Sequence, residues 1–307
     1  MTEQRQPRFI HAALLLMGSC LPILGALLIA PVLPKIQAHF AGVPRAEFLT
    51  PIALTIPSLM IAALALFAGA IVDKLGRKRV LVVALVFYGF CGIAPIWLDS
   101  LQAIIISRAG LGIAEAVIMT SCTTMIGDLF FGATRTRYLA LQTTWTSVSA
   151  VLFLMIGGAL GDISWRAPFA VYGISLLLAP MIAAMLWEPE RSGETASFGE
   201  AHAHATETTL TFRPLLLLGI CGVTLFSAIC FYLIPIHLAF LLDAMGTKTT
   251  RTIGLISGLT HITVGVGTLF FRRLITAKIA VPRLLAISWL ACGAGLVILI
   301  ASSSLTG

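Results

Sequence analysis

The sequence predicts an all-α fold, a polytopic bundle of transmembrane helices. Composition and the spacing of apolar residues both point to it. Of the 307 residues, 58% are hydrophobic and only 11% are charged, and the mean hydropathy is +1.00. Soluble domains carry about 25% charged residues, so this composition is typical of an integral membrane protein. A hydrocarbon layer of about 30 Å requires roughly 20 apolar residues per helix, and runs of that length recur along the chain.

Nine apolar runs are long enough to be membrane spans. They cover residues 12–33, 51–72, 80–98, 101–126, 138–160, 168–187, 214–242, 253–271 and 281–301. Each run is continuous and far longer than the roughly 9–11 residues of a barrel strand, so helices are expected. Several runs contain proline, and neighbouring helices can satisfy the backbone groups that proline leaves free.

A polar segment divides the nine runs into six and three. Residues 188–212 carry charges, Ser, Thr and His without apolar periodicity, which is typical of a flexible cytoplasmic linker. Six spans, a linker and further spans indicate two six-helix halves. We therefore predict a complete N-terminal half at 1–187 and an incomplete C-terminal half at 213–307, truncated after the ninth span. His202 and His204 of the linker are interpreted as solvated residues, and no metal site is expected.

The basic residues predict how the chain is oriented. With the N-terminus in the cytoplasm, fourteen of the twenty Lys and Arg residues lie in cytoplasmic segments, five lie outside, and Arg108 lies within the fourth run. This bias is the one expected of a multi-pass protein of the cell inner membrane. The basic residues are spread over five separate loops, so the net charge of +7 is attributed to topology and no nucleic-acid partner is expected.

Neither an enzyme nor a cofactor is indicated. All six cysteines lie inside apolar runs without a CxxC spacing, so free buried thiols are expected. The sequence contains no phosphate-binding loop, so pumping driven by ATP is not expected. No arrangement of a nucleophile and a base stands out either.

Two charged residues, Arg108 and Glu115, lie inside the fourth run. Each costs about 2.5–3.5 kcal/mol at the centre of a spanning helix, so both are candidates for a substrate or proton pathway. With Gly112 and Met119 they fall within about 40° around the helix, so all four are expected to face the bundle. The two charges are about 10 Å apart along the axis, and water, substrate or another helix is expected between them. The alternative is a buried polar pair that only fixes helix packing.

The fifth run begins with polar residues. Gln142, Thr146 and Ser149 share one face at spacings i, i+4 and i+7. Such a face can line a cavity, which makes Gln142 and Thr146 further candidates for the pathway. The alternative, equally supported, is that the hydroxyl groups bond back to their own helix.

The connection between the second and third runs concentrates five charged residues in one short turn. It reads Gly69-Ala70-Ile71-Val72-Asp73-Lys74-Leu75-Gly76-Arg77-Lys78-Arg79. We call residues 69–81 the signature loop. Charges are costly near lipid, so this loop is expected at the water-facing end of a helical hairpin.

Four stretches resemble motifs of the major facilitator superfamily. The signature loop matches G-x-L-x-D-R-x-G-R-K-x-x-L at Gly69, Asp73, Gly76, Arg77, Lys78 and Leu81. The fourth run resembles R-x-x-x-G-x-x-x-A at Arg108, Gly112 and Ala116. The first run, with Leu24-Gly25 and Pro31-Val32-x-Pro34, resembles the L-G-x(5)-P-V-x-P element of the twelve-span drug:proton antiporters. Trp165-Arg166-x-Pro168-Phe169 is similar to the family's W-R-x-x-F junction.

One element departs from the antiporter pattern. The antiporters carry G-x-x-x-G-P-x-x-G-G in the fifth span. Here the matching positions are Ser149, Phe153, Leu154, Gly157 and Gly158. The Gly-Pro pair is missing, so a symporter or a uniporter remains an alternative.

The resemblance implies a gate at the signature loop. Gly69 would allow two helices to approach and Gly76 would allow the turn. Asp73 would face the N-terminal end of a helix in the other half, the eleventh span, which this chain does not contain. Arg77 would bridge to Asp128 at the end of the fourth span, and Lys78 is the next basic residue of the same loop. The alternative is that these charges only fix topology.

The resemblance also implies a function. It indicates secondary transport of a small molecule by alternating access, with proton-coupled efflux of an amphipathic or drug-like compound as the first reading. Arg108 and Glu115 would then take part in proton coupling or substrate binding. Uptake of a metabolite or sugar is the first alternative, and a truncated membrane protein without autonomous transport is the second. The expected partners are the substrate, protons and lipid, and the oligomeric state is left open.

Overall fold

The computed structural model describes residues 7–188, 222, 232, 235–247 and 249–262. The chain divides into two compact units, Met1–Gly258 and Leu259–Gly307, and the contacts described below lie within the first. Most of the predicted linker, most of the seventh run, about half of the eighth and all of the ninth lie outside the described residues.

All regular structure in the described residues is helical. The helices are α1 (Phe9–Ser19), α2 (Leu21–Leu27), α3 (Leu33–His39), α4 (Ala46–Leu75), α5 (Arg77–Ile93), α6 (Leu101–Leu129), α7 (Gly132–Ile163), α8 (Ile174–Met185) and α9 (Pro235–Ala244). A further helix, α10, covers 250–262. Short 3-10 turns lie at Ala30–Val32, Ala94–Ile96 and Ala167–Gly173.

Within the described residues, six stretches are long and apolar enough to cross a membrane, and they correspond to the first six predicted runs. We number them spans 1 to 6: Phe9–His39, Ala46–Leu64, Arg77–Ile96, Leu101–Leu129, Gly132–Ile163 and Ala167–Met185. Spans 4 and 5 are several residues longer than their apolar runs. Their helices continue into segments that carry Asp128 and Arg135, because a helix satisfies its own backbone whether or not lipid surrounds it.

Span 1 is broken into three helices, and most of it is buried against its neighbours. Each segment after the first has a proline as its second residue: Pro22 in α2, Pro31 in the turn at Ala30–Val32 and Pro34 in α3. Proline has no N–H group to donate, so it is tolerated at the start of a segment but ends the one before it. The breaks leave carbonyl groups of span 1 without a helical donor in the middle of the bundle.

The connections between spans lie alternately on two sides of the bundle. On the first, which we call the loop side, Arg77 of the signature loop contacts Asp128 at the end of span 4 and Glu188 after span 6. On the second, the far side, Asp99 after span 3 contacts Arg166 before span 6. Which side faces the cytoplasm remains a prediction.

Candidate functional site

Arg108 is fully buried in span 4, and its guanidinium group is bound by three other spans. Its Nε donates to the carbonyl of Ala53 in span 2 at 3.1 Å, and Nη1 donates to the hydroxyl of Tyr172 in span 6 at 2.8 Å. Nη2 donates to the carbonyl of Gly25 in span 1. The Tyr172 ring also lies 5.3 Å from the guanidinium carbon. Neutral acceptors therefore surround the charge on several sides, as an ionised group inside a membrane requires.

The carbonyl groups that bind Arg108 are free because of local sequence. A helical carbonyl normally accepts from the N–H four residues later, and the residue four after Ala53 is Pro57, which has none. Gly25 lies in the last turn of α2, where carbonyl groups lack an intrahelical donor. Span 4 approaches the backbone of Pro57 closely at Gly112. Only glycine permits this, because a side chain at position 112 would collide with that backbone. Arg108 thus donates to two carbonyl groups, one left open by Pro57 and the other by the end of α2.

Glu115 lies on the other side of Gly25. The side chain is only 1% exposed, and its Oε1 has no hydrogen-bond partner within the described part of the chain. A side chain at position 25 would collide with this oxygen, so the carboxyl group packs directly on the Cα of the glycine. Span 1 is therefore the helix that separates the two charges. Met119 on the same face is 54% exposed, so the buried part of this face ends beyond Glu115.

One residue of the predicted seventh run also reaches this region. The hydroxyl of Tyr232 forms a hydrogen bond with the hydroxyl of Ser58 in span 2. Ser58 follows Pro57, whose backbone lies against Gly112 one turn from Arg108. A residue of the predicted C-terminal half thus places a polar side chain close to the surroundings of the buried arginine.

The polar residues of span 5 form two kinds of hydrogen bond, to other spans and to their own helix. Gln142 donates from Nε2 to Ser19 of span 1 at 2.7 Å and to Thr123 of span 4 at 3.1 Å. Thr146 donates instead to a carbonyl of its own helix, that of Thr143, at 2.8 Å. Ser149 does both, since its hydroxyl bonds to the carbonyl of Trp145 and to Cys20. In the described residues, neither Gln142 nor Thr146 is hydrogen-bonded to Arg108 or Glu115.

The signature loop is built around Arg77. Its guanidinium forms an ion pair with Asp128 at the end of span 4, and Nη2 lies 3.5 Å from Oδ1 of Asp73. Gly76 has φ +94°, a conformation that side chains rarely adopt. Gly69 differs from expectation. A Cβ there would meet no atom within 4 Å, because no described element packs on this side of α4.

The carboxylate of Glu188 completes the loop. Its two oxygens accept from the backbone N–H groups of Arg77 at 2.5 Å and of Lys78 at 3.0 Å. These are the first two N–H groups of α5, which have no helical acceptor and attract negative charge. A Cβ at Gly76 would lie 3.2 Å from Oε1 of Glu188, so the glycine also makes room for the carboxylate. Lys78 therefore joins the loop through its backbone, and span 6 is tied to the start of span 3.

The chain, with its two buried charges in span 4 and its signature loop, matches a known protein family. The family model described as Major Facilitator Superfamily matches residues 15–307. The chain belongs to the Major Facilitator Superfamily. This family consists of membrane transporters, so the expectation that the chain is not an enzyme is confirmed.

The relatives of this superfamily member include drug-resistance proteins. Multidrug resistance protein 1 of Bacillus subtilis (strain 168) is 30% identical over 188 residues, which are 60% of this chain and 47% of the relative. The class H tetracycline resistance protein of Pasteurella multocida is 23% identical over 270 residues, 87% of this chain and 66% of the relative. The chain spans about half the length of several curated relatives that it matches.

Solved structures of transporters share the fold. A bacterial homologue of the human lysosomal transporter Spinster, in an inward-facing and unoccupied conformation, gives a TM-score of 0.67 at 18% identity. The match covers 88% of this chain and 64% of that one. A D-xylose–proton symporter gives a TM-score of 0.63 at 14% identity, over 83% of this chain and 66% of the other. At these identities the likeness concerns the fold.

Sequence reasoning found the charged residues of this superfamily member but missed what binds them. Ala53 and Tyr172 carry no charge, and only the proline four residues after Ala53 hinted at a free carbonyl. Glu188 was assigned to the linker, although its position beside the end of an apolar run suits a helix cap. Across the described residues, no cluster of three or more His, Cys, Asp or Glu could hold a metal ion.

Proposed function

We propose that this chain is the transport unit, or part of it, of a carrier that exports an amphipathic, drug-like compound across the inner membrane in exchange for protons. Arg108 and Glu115, divided by Gly25, are the observation on which this proposal depends. The names of the relatives support export of drugs, and the drug:proton antiporter element in span 1 agrees with them.

Glu115 is proposed as the proton carrier. An ionised carboxylate without a partner is costly in an apolar interior, so the protonated acid suits the arrangement seen here. If span 1 moved away at Gly25, water would reach the carboxyl group and the proton could leave. The proton would then move with the conformational change, as coupled transport requires.

Arg108 is proposed to link this proton to the position of span 1. The carbonyl of Gly25 accepts from Arg108, while the Cα of the same residue packs against Glu115. A shift of span 1 at this residue therefore changes the surroundings of both charges at once. Coupling of this kind needs an element with two positions that both groups influence.

The signature loop is proposed as the gate on the loop side. The ion pair of Arg77 with Asp128 and the Glu188 carboxylate at the start of α5 hold spans 3, 4 and 6 together there. Asp73 would add a contact to the other half, as the resemblance implies. Gln142 and Thr146, on the loop-side part of span 5, are proposed to line the path between this gate and Glu115.

One alternative keeps specific support. The missing Gly-Pro pair in span 5 favours a symporter or uniporter that takes up a metabolite or sugar, and a sugar–proton symporter is among the structural neighbours.

Flux in proteoliposomes tests the proposal. We expect vesicles that hold this chain to move the fluorescent cation ethidium under an imposed proton gradient, and to lose at least nine-tenths of that rate with Arg108→Ala. The matched control is Arg45→Ala, an exposed arginine on the far side. Absence of flux in the parent protein would rule out autonomous transport of this probe, and full flux in Arg108→Ala would show that the arginine has no part in it.

A further inference from the structure

On the far side, the carboxylate of Asp162 lies at the start of α10. Asp162 lies in the last turn of span 5, and its Oδ1 accepts from both the backbone N–H and the hydroxyl of Thr250 at 2.7 Å. Its Oδ2 lies 3.4 Å from the N–H of Arg251. These N–H groups begin a helix and have no helical acceptor, so a carboxylate satisfies them and also favours their positive dipole end. The contact joins residues of the two predicted halves.

Lys35 brings span 1 to the same point. Its ammonium group donates to the carbonyl of Gly161 at 2.8 Å and lies 3.9 Å from Oδ1 of Asp162. Spans 1 and 5 and α10 therefore meet around one carboxylate. No sequence motif marks this cluster. Lys35 and Thr250 are 126 and 88 residues from the partners that they bind at the end of span 5.

Directly below the carboxylate, the helices touch through their backbones. A side chain at Gly158 of α7 would lie 2.8 Å from the Cα of Gly254 in α10. A side chain at Gly157 would collide with the carbonyl of Leu28 in span 1. At this level α7 therefore leaves no room for a side chain at Gly157 towards span 1 or at Gly158 towards α10.

A second acidic residue on the far side gives a contrast. Asp99 pairs with Arg166 at 2.5 Å, but both residues belong to loops of the first six spans. That ion pair can persist while the predicted halves separate. The hydrogen bonds of Asp162 cannot, because α10 must leave α7 for the far side to open.

We propose that Asp162 is a positioning residue of the transport cycle, whose carboxylate holds the start of α10 against span 5 and keeps the far side closed. The inference rests on the proposed function to the extent that alternating access requires each side to open in turn. Loss of the carboxylate shifts the protein towards the state that is open on the far side and closed on the loop side.

Thiol labelling in nanodiscs, where both faces are accessible, tests this in the full chain. Val32→Cys reports on the far side, since Val32 is fully buried beside Gly161. Met119→Cys, on the half-exposed part of the Glu115 face, reports on the loop side. With a membrane-impermeant maleimide, Asp162→Ala is expected to raise the labelling rate at position 32 at least fivefold and to lower the rate at position 119 at least twofold. Native cysteines are accounted for by subtracting the parent protein without a reporter.

Asp99→Ala is the matched control, expected to change neither rate more than twofold. If both reporters label faster in Asp162→Ala, the residue only stabilises the fold, and if neither rate changes, it has no gating role. Thr250→Val, which keeps the N–H but removes the hydroxyl, gives a milder variant should Asp162→Ala fail to insert. It is expected to shift both rates in the same directions, and unchanged rates in it would overturn the proposal. Labelling does not depend on flux, so this outcome is separate from that of the transport assay.

Discussion

The carbonyl of Gly25 accepts a hydrogen bond from the guanidinium of Arg108 in the interior of the bundle. Span 1 can offer this carbonyl because α2 ends two residues later. The same glycine has no side chain, which gives Glu115 its place on the other side. One backbone position thus determines the surroundings of both membrane-embedded charges, and it can be tested without touching either charge.

Gly25→Ala should destabilise the protein, because the new methyl group collides with the Glu115 carboxyl group. Overpacking of this kind costs about 1–3 kcal/mol. We expect a lower melting temperature in detergent for Gly25→Ala, and partial recovery in the double variant Gly25→Ala with Glu115→Ala, which makes room.

Gly42→Ala is the control for this pair, since a Cβ at Gly42 meets no atom within 4 Å. A melting temperature that falls equally for Gly25→Ala and Gly42→Ala, without recovery in the double variant, would contradict the packing described here.

Arg108→Lys should lose most transport although it keeps the charge. A lysine ammonium is a compact group that cannot reach acceptors on three spans in the fixed geometry of a guanidinium. We expect at least a tenfold lower ethidium flux for Arg108→Lys. Tyr172→Phe removes one acceptor, a loss worth about 1.5–3 kcal/mol for a bond to a charged group, and should reduce flux less. Equal flux in Arg108→Lys and the parent would show that charge alone suffices.

Pro57→Ala tests why the Ala53 carbonyl is available. The alanine supplies an N–H group that competes with Nε of Arg108 for this carbonyl. We expect reduced flux even though proline is normally unfavourable inside a helix and its removal alone would favour the helix. Pro51→Ala, in the first turns of the same helix, is the control and should keep the parental flux.

The sequence predicted the six described spans but placed their ends less well. Spans 4 and 5 extend beyond their apolar runs because hydropathy marks the lipid boundary and the helix continues into water. The two buried charges were recognisable because an ionised residue is costly in lipid. Their acceptors were not, since a free carbonyl becomes a site only when the fold brings Ala53, Gly25 and Tyr172 around one side chain.

The contacts at the two ends of the bundle were the hardest to predict. Glu188 and Asp162 are ordinary acidic residues in the sequence, and each acts on a helix start that lies far along the chain. Gly76 was assigned to a turn, which its φ value supports, but its second role in admitting Glu188 depends on span 6. Long-range partners of this kind follow from topology, and a single sequence contains no signal for them.

Glu188→Gln should weaken the start of α5. The amide keeps one acceptor oxygen but loses the charge that favours the helix start, and loss of such a cap costs about 1 kcal/mol. We expect faster hydrogen exchange of the backbone amides of Arg77 and Lys78, measured by mass spectrometry. Glu47→Gln, an acidic residue at the start of α4 on the far side, is the control and should leave exchange at this peptide unchanged. Unchanged exchange in Glu188→Gln would show that the carboxylate does not cap α5 in solution.

Proton coupling through Glu115 is measured most directly with Glu115→Gln in proteoliposomes. Glutamine mimics the protonated acid but can neither release nor take up a proton. The account predicts that this variant exchanges ethidium for ethidium within threefold of the parent rate while accumulation driven by a proton gradient is lost. Accumulation at the parent level in Glu115→Gln would contradict it.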